Sequence, residues 1–188
     1  MKPLSAYDYL EKLVIETINN NGKPLELRYG DKVCLVNCDN NLISNIIIKG
    51  LLSRKNYGLE SPNVLVITSN NKFDFYNCVN VAKKNYGMNI NKVLDHVLIS
   101  RVFTIYQLTQ KIIYEIPILI EKFRTKLLVI ISDLFLSELQ DHHQQLIDKE
   151  EKDWLINKQI IKSIKYITNS IVIIFSSIIL PNFTNYTR

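Results

Sequence analysis

Short apolar, β-branched runs alternate along this sequence with longer segments of helical spacing, and that alternation narrows the fold more than any single motif. The runs fall at Lys32–Val36, Asn63–Thr68, 93–100, 126–133 and 170–176. Each is too short for an ordinary helix and is bounded by polar or turn-forming residues, as strands are. Between them, 42–52 is apolar with one charge, and 74–86 carries Phe75, Val79 and Ala82 opposite Lys83 and Lys84. The spacing in 106–123 predicts a longer helix that bends near Pro117, because proline removes a backbone donor and crowds the preceding turn. Segment 153–168 sets Leu155, Ile156, Ile160, Ile164 and Ile167 inward and leaves Lys158, Lys162 and Lys165 along the opposite face. An opening helix is expected from Ser5, its cap, with Leu10, Leu13, Val14 and Ile18 on one side and Asn19-Asn20-Asn21-Gly22 ending it.

Strand-length apolar runs separated by helices imply a central, mostly parallel sheet covered by helices on both faces, joined by right-handed crossovers. With 188 residues, 47% of them hydrophobic and 22% charged, the chain suits a single α/β domain over residues 1–188. The first ten residues lack the apolar core of a secretory signal. The most apolar run, 171–180, is about half the length of a membrane-spanning helix. Cys34, Cys38 and Cys78 form no paired framework, and with only His96, His142 and His143 beside them no zinc ligand set is complete. The expectation is a reduced cytoplasmic protein, or a nuclear one in a eukaryote, with packed thiols, no metal and no membrane contact. A net charge of +5 makes an anionic partner an open option.

Residues 30–44 read GDKVCLVNCDNNLIS, a strand and turn leading into the helix at 42–52. Residues 63–73 read NVLVITSNNKF, a strand ending in a polar turn. From Val93 the chain runs through Leu98, Ser100-Arg101-Val102-Phe103-Thr104 and Gln107-Leu108. In order and spacing these stretches resemble the RecA/RadA recombinase family and its paralogues: the strand, phosphate loop and helix of Walker A, then the strand ending in an acidic turn, then the strand that leads through an ARA-(Y/F)-x-x-x-x-Q segment into a long helix. Residues 126–133 resemble the Walker B strand and 171–177 the strand that ends near the second DNA loop. The resemblance spans roughly residues 25 to 180 and implies a RecA-like P-loop NTPase core.

The departures from that pattern carry the functional reading. A phosphate loop wraps backbone N–H groups round the phosphates, uses glycine where the backbone must pass close, and neutralises charge with a lysine. Here Asn37 and Leu42 stand at the two glycine positions and Ile43 at the lysine, leaving Ser44 as the one retained magnesium-ligating residue type. Asn70 occupies the position of the catalytic glutamate, and an amide is no general base near neutral pH. Asp133 closes the Walker B-like strand, although the closest register puts Ile131 or Ser132 at the magnesium-linked aspartate. ATP binding and hydrolysis are therefore not expected, and neither a cofactor nor a catalytic residue is assigned.

What the resemblance then implies is a non-catalytic recombinase paralogue, an interaction protein of homologous recombination or DNA repair whose partner is an active recombinase or another paralogue. Tyr7, Tyr9, Leu10, Phe183 and Tyr186 are candidate docking residues. The alternative is an accessory or regulatory protein that binds DNA directly, through Lys158, Lys162, Lys165 and Arg188, with a salt-sensitive contact to the backbone. The polar segment 137–153, with His142 and His143 beside Asp141 and Glu138, reads as a solvated stretch and is acidic where a DNA loop would be basic.

Overall fold

The structure, a computed structural model, describes residues 12–15, 24–36, 38–60, 62–68, 73–123, 127–132, 158, 162–164, 167, 170–176 and 184–187. Its centre is a six-stranded sheet in which every paired neighbour runs parallel. In chain order the strands are β3 (Lys32–Val36), β4 (Asn63–Thr68), β5 (Val97–Arg101), β6 (Leu127–Ser132), β7 (Ile171–Ser176) and β8 (Thr184–Thr187), and across the sheet they lie β5-β4-β6-β7-β3-β8. A separate hairpin pairs β1 (Lys12–Ile15) with β2 (Leu25–Arg28), antiparallel.

The central strands are buried on both faces, which is why they read as unbroken apolar runs: LLVIIS in β6 and IVIIFS in β7 are buried at every position. β2 alternates instead, Leu25 and Leu27 inward and Glu26 and Arg28 outward, as a half-covered strand does. From β2 the chain reverses through Arg28–Asp31, where the Asp31 N–H donates to the Arg28 carbonyl and the Asp31 carboxylate accepts from the Arg28 N–H at 2.7 Å. Gly30 supplies the positive φ that this turn requires.

Helices α1 (Asn40–Leu51), α2 (Phe75–Tyr86) and α3 (Ile90–His96) pack on one face, where Ile43, Ile46, Ile47, Leu51, Cys78, Ala82 and Val93 join a single apolar cluster with β1 and β2. The other face holds α4 (Ile105–Gln110) and α5 (Ile116–Phe123), whose Leu108 and Ile116 meet Ile164 and Ile167 in a second cluster. The sheet thus divides the interior in two. Four of these five helices start on a side chain that accepts from a first-turn N–H: Asp39 for α1, Asp74 for α2, Asn89 for α3 and Thr104 for α4.

Four expectations change. Residues 12–15, taken into an opening helix, form β1; Leu13-Val14-Ile15 is a consecutive apolar run, two of its three side chains β-branched, and such a run suits a covered strand better than one helix face. The strand expected over 93–100 starts at Val97, since Val93–His96 completes α3. Between α4 and α5 the chain forms a π turn over Lys111–Glu115, with the Ile116 N–H reaching the Lys111 carbonyl. This widened turn sits where the ring of Pro117 would crowd an α-helix, so the disturbance falls just ahead of the proline. Residues 184–187, beyond the last expected strand, add β8 to the sheet beside β3. Of the helix expected over 153–168, residues 158 and 162–164 are helical.

Candidate nucleotide site at the carboxyl edge of the sheet

In an open parallel sheet, ligands bind outside the carboxyl ends of the strands, at the point where consecutive crossovers leave to opposite faces. β4 is followed by α2 on the first face, whereas Ile164 and Ile167, which precede β7, pack on the second. The two neighbours β4 and β6 therefore flank such a point, and their last residues, Thr68 and Ser132, lie opposite each other in register. Thr68, Ser132 and Ser176 end three adjacent strands, all buried and none charged. Among the described residues, the Ser132 hydroxyl is buried without a hydrogen-bond partner.

The stretch that resembles a phosphate loop follows β3 and leads into α1. The Asp39 carboxylate accepts from the Leu42 N–H at 2.8 Å and caps α1. A phosphate bound by a P-loop would need these first-turn N–H groups and the positive end of the helix. Here a fixed carboxylate already takes that role, and it would repel a second anion. Leu42 is half-buried against the first cluster, and Ile43, at 2% exposure, points into it. An ordinary phosphate-loop lysine at 43 would have to extend from a position whose present side chain is core.

Ser44 is turned toward α2. Its hydroxyl is 1% exposed and accepts from the Cys78 thiol at 3.3 Å and from the Asn77 amide at 3.1 Å; the same amide reaches Asn41 at 2.9 Å. The residue type that could ligate magnesium is thus engaged in joining two helices. Ile131 is core and Ser132 neutral, so neither position of the closest Walker B register offers a carboxylate. Asn37, Asn70, Asp133, Lys165, Arg188, His142 and His143 lie outside the described residues, as do Tyr7, Tyr9, Leu10 and Phe183. Tyr186 falls within the backbone of β8. Lys158 and Lys162 are exposed. Among the described residues no group of three or more His, Cys, Asp and Glu gathers as a metal ion would require, and no helix is long and apolar enough to cross a membrane.

Sequence reasoning passed over Asp39 and Cys78. Asp39 was legible: an Asp directly before an apolar-periodic segment is the usual mark of a helix start. Cys78 carried no such mark, because its partner is thirty-four residues away. Burial pushes the Cys78 thiol up from 9.0 to about 11, helped by nearby Asp74 and opposed by the Ser44 hydrogen bond. Because the folded chain holds this proton more tightly than the unfolded one, stability from this group is intact below pH 9 and falls as pH rises toward 11. Urea midpoints of the parent should drop over that range by more than those of Cys78→Ala, and alkylation near pH 8 should label half-buried Cys38 well before Cys78. A Cys78 labelled as fast as Cys38 would contradict the buried α1–α2 contact.

No protein-family model matches the sequence, and no curated protein matches it.

Proposed function

We propose that the chain is a RecA-like recombinase paralogue without ATPase activity, acting as an interaction or accessory protein in homologous recombination or DNA repair. The kinship is read from the ordered stretches around Lys32–Val36, Asn63–Thr68 and Ser100–Gln107, which fall on β3, on β4 and on the passage from β5 into α4. The loss of chemistry rests on one observation above the others: the Asp39 carboxylate caps the helix whose first N–H groups a triphosphate would need. Ile43 in the core and Ser44 bonded to α2 support it independently. A fold that keeps its sheet while closing its nucleotide edge is suited to docking.

Two measurements test this reading. Calorimetry of the full chain with MgATP and MgADP should register no binding, and tight nucleotide occupancy would overturn the pseudo-ATPase assignment. Affinity purification from the native host should recover an active recombinase or a further paralogue; recovery of unrelated metabolic enzymes alone would defeat the pathway assignment. The second reading, a DNA-binding accessory protein, draws on the net charge of +5 and on exposed Lys158 and Lys162. It requires strand retention by the isolated chain that weakens with salt.

A further inference from the structure

Where β5 passes into α4, Arg101, Phe103, Tyr106, Gln107, Gln110 and Lys111 line an open groove of about 260 Å³. Pockets that enclose whole drug-sized ligands run to roughly 300–1,000 Å³, so this one suits a single flat ring held from one side. Its rings are unusually bare: Phe103 and Tyr106 are each 67% exposed, and Tyr114, eight residues beyond Tyr106, is 58% exposed. Leu108 and Ile112 on the same stretch are fully buried, so the helix has already satisfied its apolar face against the sheet and presents these aromatics as a second stripe.

The polar groups beside the rings are two cations, two amides and one carboxylate, Glu115. Arg101 ends β5, one of the two edge strands, at the carboxyl edge, exposed, and no described acidic residue pairs with it. Lys111 is held at 2.8 Å by Glu115, so the groove keeps one cation in excess. Gln107 is fixed in place: its amide oxygen accepts from the Phe103 N–H at 2.7 Å, and its own N–H donates to Thr104. That double tie sets the turn carrying Phe103 and leaves the Gln107 amide N–H₂ as its donating group.

We propose that this groove binds single-stranded nucleic acid, with bases stacked on Phe103 and Tyr106 and the strand continuing toward Tyr114 while Arg101 takes a phosphate. Base stacking on exposed aromatics together with unpaired cations is how sequence-tolerant strand binding works, since every base has a face to stack. The net charge of +5 brings such a polyanion to the surface. The groove lies on a different element from Lys158 and Lys162 and outside the phosphate-loop stretch. Its Arg101, Phe103 and Gln107 belong to a stretch on which the recombinase resemblance is read, but strand binding is measured separately from nucleotide binding and from recombinase capture.

The test is fluorescence anisotropy of the full chain with a labelled oligothymidine. The parent should bind, more tightly than it binds a duplex of equal length, whose bases are already stacked. Phe103→Ala and Tyr106→Ala should each weaken binding roughly 5- to 150-fold, the range that stacking supports. Tyr106→Phe should retain it, and Arg101→Gln should lower the salt slope by about one. These side chains are exposed, so melting temperatures should stay at the parent value and separate lost binding from lost folding. The proposal is overturned if the parent does not bind the strand, if the alanine variants bind like the parent, or if only Lys158→Gln and Lys162→Gln remove binding. Capture of a protein through the same rings, without strand binding, would overturn it too.

Discussion

The Ile43→Lys variant is expected to melt roughly 8–16 °C below the parent and to gain no affinity for MgATP. In an active phosphate loop the lysine at this position meets the ligand, so restoring it should repair a site lost by that change alone. Here Ile43 is 2% exposed and belongs to the cluster shared by α1, α2 and the sheet. The substitution removes a buried isoleucine, about 1.5–3 kcal/mol of burial, and forces an ammonium either into apolar surroundings or out past its neighbours. Together these cost about 4 kcal/mol, with 2–4 °C lost per kcal/mol in a chain of this size. Asp39 would still occupy the end of α1. A thermal melt and calorimetry on the same sample decide it: parent-like stability with new nucleotide affinity would mean that side chain 43 reaches the mouth of a working loop.

Gly58→Ala is expected to cost about 3 kcal/mol or more in urea unfolding, whereas Gly87→Ala should cost about 1 kcal/mol. Past the end of α1 the chain folds back on the helix. The Leu52 N–H reaches the Lys49 carbonyl, Leu59 the Gly50 carbonyl and Glu60 the Leu52 carbonyl, so two of the carbonyls that end α1 find donors here and the loop is tied to the helix. A Cβ on Gly58 would collide with the Leu52 oxygen and meet the Lys49 oxygen at 2.6 Å, and both are backbone atoms that cannot rotate away. Gly87 caps α2 with a positive φ of 57°, yet nothing lies within 4 Å of an added Cβ, so its cost is confined to backbone strain. Equal losses for the two variants would mean that the loop over α1 yields easily.

The sheet strands were the most legible part of the sequence. Lys32–Val36 and Asn63–Thr68 match their expected bounds, and β6 and β7 fall within theirs, because strands buried on both faces leave continuous apolar runs with polar ends. Leu13-Val14-Ile15 was misread for the same reason in reverse: a short apolar run fits a helix face or a strand equally well until its partner, β2, is known. Val93 sits in a helix although it leads an apolar stretch, since Asn89 caps α3 and the strand waits until His96 is passed. At the candidate site, that position 43 carries no cation could be read from the sequence alone. That the Ile43 side chain is packed inward and that Ser44 is bonded to Asn77 and Cys78 are tertiary facts with no local periodicity to betray them.

β3 lies between β7 and β8, so a strand made early is flanked on both sides by two that emerge much later. Until they do, Cys34 and Leu35 have no neighbours to pair with, and the loop that must close first is a long one. A nascent chain of this topology stays open along that seam until β7 and β8 have been made, which makes it a natural client for chaperones or for a co-synthesised partner that shields the gap.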